Sequence, residues 1–249
     1  APKNLLKNFT RYKEILSNGK PDVVISDFES FTHFFAKAHS IPLISIDNMQ
    51  VIDRCQLDID IPKDLKSDYL LAKQIVNAKV HGASWYMMSS FFYPEIKKAK
   101  TSYVPPIIRD EICKVRTRKG SHIIVYQTSN TEKELLPVLH TLPQEQFVVY
   151  GLKKDKMEGN ITLKSFSEVG FIEDLASAKA VLANGGFSFI SEAVYLQKPI
   201  CSVPIAHQFE QFVNAAYIEK LGYGRRFETF TADGIKSFLY DLPRFEKAL

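Results

Sequence analysis

Short apolar runs that end in polar or glycine turns, each followed by an amphipathic helix, recur along the 249 residues. The clearest case is residues 180–196. There Ala-Val-Leu-Ala runs into Asn184-Gly185-Gly186 and then into a helical pattern from Ser188 to Leu196. Strands that alternate with helices argue for a parallel sheet. In open sheets of this kind, ligands bind beyond the carboxyl ends of the strands. Hydrophobic residues are 45% and charged residues 24%, which excludes a disordered chain and a low-complexity array. The length suits one large or two small domains. The net charge of +4 is far from what a dedicated nucleic-acid binder needs.

The first half reads as a loose βα series. Leu5, Leu6, Phe9, Tyr12, Ile15 and Leu16 fall at helical spacing, and Gly19 stops that helix. Residues 22–26 and 43–46 are short strands, separated by a helix that carries Phe31, Phe34, Phe35 and Ala38. Both strands end in polar residues, Ser26-Asp27 and Asp47-Asn48. Residues 49–64 are polar and read as loop, residues 65–81 as a helix, and residues 84–93 as an aromatic core strand.

Pro105 and Pro106 then force an extended segment. The charged residues 109–118 lack periodicity, so residues 105–119 read as a linker between a domain at 1–104 and a second at 120–249. In the second domain, strands are expected at 122–126, 147–150, 161–166, 180–183 and 200–203. Helices are expected at 132–140 (broken or kinked at Pro137), 171–178, 188–196 and 208–221, the last ended by Gly222 and Gly224. A final helix is expected near 233–249.

The Gly-Gly turn is the chemically richest segment. Glycines let a backbone approach a ligand closely, and a helix N-terminus attracts an anion. A phosphate or diphosphate is the natural ligand, with Ser188 as the expected helix cap. A plain tight βα connection is the competing explanation. Glu192, one turn into the helix, either offsets the helix dipole or accepts hydrogen bonds from a ribose diol. Glu210, Gln211 and Asn214 share one face near the start of the next helix. That face either binds sugar hydroxyls or is simply solvated.

These residues resemble a family. Asn184-Gly-Gly-Phe-Ser-x-x-Ser-Glu-Ala193, Lys198-Pro199, Pro204, Gln208-Phe-Glu-Gln-x-x-Asn-Ala215 and Leu221-Gly-Tyr-Gly224 look like the donor-binding region of GT-B glycosyltransferases. The resemblance is to nucleotide-sugar transferases of the family 1 and family 28 type. Ser26-Asp27-Phe-Glu29 and Ile46-Asp47-Asn48 resemble a branch related to teichoic-acid biosynthesis. The resemblance implies an α/β fold of two Rossmann-like domains facing a cleft. Such enzymes open with a strand and a Gly-rich turn followed by His. Residues 1–249 contain no such segment, so the first domain is expected to lack its first βα unit within this sequence.

Carried over by position, the resemblance implies that Gly185, Gly186 and Phe187 offer backbone N–H groups to a diphosphate and that Ser188 adds its hydroxyl. Thr128 and Ser129 would face the phosphates, and Glu192 would hold the ribose. Phe166 and Phe171 would flank the base. Glu210 and Gln211 would hold the donor sugar, and His207 would shape the loop or touch that sugar. Asn184 stands where plant-type members carry His. Asp27, Glu29 and Asp47 are the candidates for the catalytic base, with helix capping or loop ordering as their alternative roles.

The expected reaction is transfer of a sugar from a nucleoside diphosphate, UDP by this resemblance, to a hydroxyl of a glycan or lipid-linked acceptor. It is expected to be inverting, with no metal and no cofactor beyond the UDP-sugar co-substrate. Asp58-x-Asp60 imitates a metal-binding motif of a different fold. A UDP-sugar 2-epimerase and a non-catalytic nucleotide-sugar-binding subunit are the competing functions. Cys55, Cys113 and Cys201 suit a reducing compartment, so the expected location is cytoplasmic, with no nucleic-acid partner. Lys7, Arg11 and Lys13 leave open a peripheral contact with the inner membrane face, or are solvated charges.

Overall fold

A computed structural model of the chain describes residues 12, 14, 15, 17, 19–127 and 132–249, with Glu132 and Lys133 described by backbone only. Thr128, Ser129, Leu5, Leu6, Phe9 and Leu16 lie outside the described residues. The chain divides into two α/β units. The first comprises residues up to Asp58 together with Pro62–Pro105, and the second comprises Ile59–Ile61 and Pro106–Leu249.

In the first unit, strands β1 (Val24–Ser26), β2 (Leu43–Asp47), β4 (Trp85–Ser89) and β6 (Thr101–Val104) form a parallel sheet in that order. Helices α1 (Ser30–Ala38), α2 (Gln50–Arg54) and α3 (Lys66–Lys79) connect them. Phe35, Ala36, Leu43, Val80 and Tyr86 build a core, against which Tyr12 and Ile15 pack.

Three expectations need correction here. Residues 49–64 are not all loop, because α2 is fully buried despite its polar sequence. Its charges are paired: Lys98 donates to both oxygens of Asp53 at 2.8 and 2.7 Å. Arg54 donates to Thr101 Oγ1 and Ala99 O, and its guanidinium lies 3.6 Å from the Tyr86 ring centroid. Satisfied charges can be buried, and composition alone does not show the pairing. Arg54 is followed by strand β3 (Cys55–Gln56), which pairs antiparallel with β5 (Glu95–Ile96). The aromatic strand stops at Ser89 rather than 93. The extended segment expected at the two prolines starts earlier, as β6, which ends where Pro105 has no N–H to give the ladder.

The second unit holds a seven-stranded sheet. Its members are β7 (His122–Tyr126), β8 (Gln146–Tyr150), β9 (Lys156–Glu158), β10 (Ile161–Lys164), β11 (Ala180–Ala183), β12 (Ile200–Ser202) and β13 (Gly224–Arg226). The spatial order is β13-β12-β11-β7-β8-β10-β9, and only β9 runs antiparallel. Numbered in turn, the six parallel strands follow the doubly wound order 3-2-1-4-5-6, which places a topological switch point between β7 and β11. The covering helices are α4 (Asp110–Lys114), α5 (Glu132–His140), α6 (Glu168–Ser177), α7 (Phe187–Tyr195), α8 (Phe209–Leu221), α9 (Ala232–Tyr240) and α10 (Leu242–Ala248). Ile123, Val125, Leu139, Phe147, Leu182 and Phe238 are fully or almost fully buried in its core.

Residues 106–119, expected to be a linker, pack on this unit instead. Ile112 of α4 is fully buried, and the Arg118 amide donates to Ala176 O at 2.9 Å. Helix α5 runs as one element with Pro137 inside it, not broken there. Strands β9 and β13 were not expected. The turn Gly159-Asn160 closes the β9–β10 hairpin as a two-residue loop, since Glu158 pairs with Ile161, and Gly159 has φ +59°. Gly222 caps α8 in the left-handed region as expected. Gly224, however, is a strand residue: a Cβ there would lie 1.8 Å from Ile200 O.

Candidate functional site

A cavity of about 510 Å³ opens beyond the carboxyl ends of β7 and β11. The switch point puts it there: where neighbouring strands send their connections in opposite directions, the loops part and leave a crevice. All of its lining residues belong to the second unit.

Its floor is the turn from β11 into α7. Gly185 has φ +113°, and a Cβ on it would come within 2.8 Å of Gln211 O. Conformation and space therefore both require glycine. Gly186 is different. It has φ −64°, and nothing lies within 4 Å of a Cβ placed on it. Its missing side chain leaves open space over the helix start. Gly186 is also the N-cap of α7, with no side-chain cap, so the helix begins at Phe187 and Ser188 is not the cap. No side chain caps the first turn of α7, and the helix dipole directs its partial positive charge out of that N-terminus.

Two side chains of α8 hold this floor. Asn214, fully buried, donates to Gly185 O at 3.0 Å. Gln211 accepts from the Ile205 amide at 3.0 Å and donates to Gln208 Oε1 at 2.6 Å. The face that carries Glu210, Gln211 and Asn214 is thus not one surface. Asn214 shapes the turn from behind, Gln211 both lines the cavity and orders the loop before α8, and Glu210 is half-buried. His207 is exposed, with φ +62°. Asn184 is buried, lines the cavity and donates to Val203 O at 3.2 Å.

One wall is aromatic. Phe171 is buried, with its ring 5.5 Å from Phe166, 5.5 Å from Tyr126 and 5.7 Å from Phe189. Phe166 is 59% exposed, so one edge of the cluster offers an open apolar face. Such a face suits a flat ring.

A further part of the lining is charged. The carboxylate of Glu192 is buried and held by Arg109, which donates through Nε to Oε1 at 2.6 Å and through Nη2 to Oε2 at 2.8 Å. Arg109 also donates through Nη1 to Glu168 at 2.9 Å. The hydrogen bond to Glu192 is the main reason the guanidinium is held above even its ordinary basicity. Arg109, Ile107 and Tyr126 line the cavity, and the sequence reasoning missed all three. Arg109 stood in a charged stretch without periodicity, and its partner is 83 residues away. The polar turn after two prolines was its one cue.

The candidate base residues belong to the first unit. Asp27 is exposed just past β1, and Glu29 is exposed and caps α1, accepting from the amides of Phe31 and Thr32 at 2.7 and 2.8 Å. Burial raises the pKa of Glu29, but the amides of Thr32 and Phe31 outweigh it and leave the group below its usual value. Asp47 is buried at the end of β2. It accepts from Ser45 Oγ at 2.6 Å and from the Gln50 amide at 2.9 Å. Burial pushes its pKa up against those bonds, and the charge of Asp27 adds to the rise. Among the described residues no group of three or more His, Cys, Asp or Glu stands together as a metal site.

The fold is that of the GT-B glycosyltransferases. The model of the family described as glycosyl transferase family 1 matches residues 2–243, so the chain belongs to that family. An uncharacterized glycosyltransferase of Methanosarcina acetivorans is 42% identical over 66 residues, 25% of this chain and 17% of the relative. A UDP-N-acetylglucosamine–N-acetylmuramyl-(pentapeptide) pyrophosphoryl-undecaprenol N-acetylglucosamine transferase of Bacillus cereus is 24% identical over 153 residues, 51% of this chain and 42% of the relative. The chain therefore spans less than half the length of these curated relatives. Among solved structures, a UDP-glucosyltransferase from Polygonum tinctorium superposes with a TM-score of 0.66 at 14% identity, over 98% of this chain and 72% of that one. A Streptomyces sp. SF2575 glycosyltransferase complexed with thymidine diphosphate gives 0.57 at 16% identity, over 97% and 68%.

Proposed function

We propose that this protein transfers a sugar from a uridine diphosphate donor to a hydroxyl acceptor, and that the cavity of the second unit binds the donor nucleotide. The observation that carries the reading is the juxtaposition at the switch point. A helix N-terminus with open space over Gly186, a buried carboxylate at Glu192 and an aromatic face at Phe166 line one cavity. A nucleoside diphosphate needs each of these: donors for phosphate, an acceptor for a ribose diol and a surface for a base. The Bacillus relative uses a UDP-sugar by its name, and the Streptomyces neighbour is complexed with a nucleoside diphosphate.

In this reading, the amides of Phe187 and Ser188 and the Ser188 hydroxyl bind the diphosphate. The leaving diphosphate gains negative charge as the glycosidic bond breaks, and the helix N-terminus stabilises it without a metal ion. Gln211, Glu210 and His207 border the donor sugar, and Asn184 supports the turn. The acceptor hydroxyl of a glycan or lipid-linked sugar loses its proton to a carboxylate and attacks from the opposite face, which inverts the anomeric centre. Asp27 is the base this reading favours, because Glu29 caps a helix and both oxygens of Asp47 are already engaged. Asp47 then orders the loop beside it.

Titration calorimetry with UDP tests the donor site. Glu192→Ala is expected to weaken binding about tenfold to a hundredfold, the worth of hydrogen bonds to a charged acceptor. Unchanged affinity would remove the ribose assignment. Asp27→Asn is expected to keep UDP affinity and lose transfer to the acceptor. Full turnover in that variant would remove Asp27 as the base.

A further inference from the structure

We propose that Arg109 is a positioning residue for the donor nucleotide. It fixes the Glu192 carboxylate so that the carboxylate's two remaining lone pairs receive the two hydroxyls of a ribose. The proposal rests on the reading of this cavity as a nucleotide site, and it makes the protein selective for ribonucleotide over deoxyribonucleotide donors.

The geometry carries it. An ionised carboxylate offers about four lone-pair positions, two on each oxygen. Arg109 grips Glu192 side-on, with Nε on Oε1 at 2.6 Å and Nη2 on Oε2 at 2.8 Å. One position on each oxygen is thereby filled, and one on each remains. Glu192 and Arg109 both line the cavity. A planar fork against a planar carboxylate also fixes the plane of the acceptor, which a lysine in the same place would not do. A vicinal diol presents two donors side by side, and the fixed carboxylate presents two acceptors side by side. A 2′-deoxyribose would leave one of them unmatched in a buried setting, which is costly.

Arg109 is itself fixed at its far end. Nη1 donates to Glu168, the first residue of α6, so the guanidinium is strung between two carboxylates on different helices. Helices α6 and α7 follow β10 and β11. Arg109 thus links α6, which carries Phe171, to α7, which carries Glu192.

The test measures affinity for UDP and for 2′-deoxy-UDP by calorimetry on the full chain, in the parent and in Glu192→Ala, Arg109→Ala, Arg109→Lys and the double variant. The parent is expected to prefer UDP by about tenfold. The preference is expected to collapse towards one in Glu192→Ala and in Arg109→Ala. Arg109→Lys, which keeps the charge but not the fork, is expected to lose most of it. The double variant is expected to be no worse than Glu192→Ala alone, because Arg109 acts through Glu192.

If both Arg109 variants bind more weakly yet keep the parent's preference, Arg109 acts on the phosphates or only on stability, and the proposal is overturned while the nucleotide site stands. An unchanged Arg109→Lys variant overturns it as well, by reducing the effect to charge. If Arg109→Ala does not fold, Arg109→Lys decides the matter alone. No binding of UDP by a folded parent protein overturns the reading of the cavity together with this inference.

Discussion

Single residues set the limits of this site in two different ways. At Gly185 the backbone lies where side chains are strained, and Gln211 O would collide with a Cβ. Gly185→Ala is therefore expected to lower stability by about 1–3 kcal/mol and to distort the anion site, read as a drop in Tm together with weaker UDP binding. At Gly186 neither constraint applies, so Gly186→Ala is expected to fold as well as the parent. Any effect it has should fall on ligand affinity alone. Lys198 shows a third kind of constraint. It is buried and donates to Arg118 O and Ala178 O, each at 2.8 Å. Burial pushes its pKa down to about 8 from 10.5. Between those values the unfolded chain binds more protons than the folded one, so this residue makes stability rise as pH rises from 8 to 10.5. The gain is on the order of 2 kcal/mol. Urea unfolding at pH 8 and pH 10 is expected to show it in the parent, and Lys198→Met is expected to flatten that slope.

Among the elements, the turn from β11 into α7 depends on α8 for its shape. Asn214 is the contact, donating to Gly185 O from a fully buried position. Asn214→Ala leaves that carbonyl unpaired and is expected to cost about 1–3 kcal/mol. Thermal unfolding with and without UDP separates this loss from any loss of affinity. The elements also show what could be read from sequence. The β11–turn–α7 unit was legible because strand, glycine pair and helix follow one another within one short stretch. Arg109 was not, because nothing local marks a residue whose partner is far along the chain. Helix α2 reads as loop in the sequence because its polar residues are buried by pairing with Lys98, Thr101 and Ala99, contacts that exist only after folding. Gly224 was read as a helix stop because close approach of two strands leaves no trace in spacing.

For the molecule as a whole, the arrangement separates the two kinds of chemistry by unit. Every residue that lines the cavity proposed for the nucleotide lies in Pro106–Leu249, and the base candidates lie before Pro105. A protein of residues 106–249 is accordingly expected to fold and to bind UDP with an affinity close to that of the full chain, without transfer activity. Circular dichroism and calorimetry check the two halves of that statement. Residues 106–119 read as linker from two prolines and an aperiodic charged stretch, yet they pack on the second unit through Ile112 and the Arg118 amide, contacts that local composition does not mark.

The seven-stranded sheet has a last consequence, which concerns how the protein lives with its neighbours. Both outer strands, β9 and β13, are three residues long. One reads Lys-Met-Glu and the other Gly-Arg-Arg. A sheet edge is a template on which another chain can grow, and short, charged edges are poor templates. Replacing Lys156 and Glu158 by valine is expected to leave the site intact and to raise light scattering on concentration. The margins of the sheet, as distant from the cavity as its topology allows, are poor templates for a second copy of the fold.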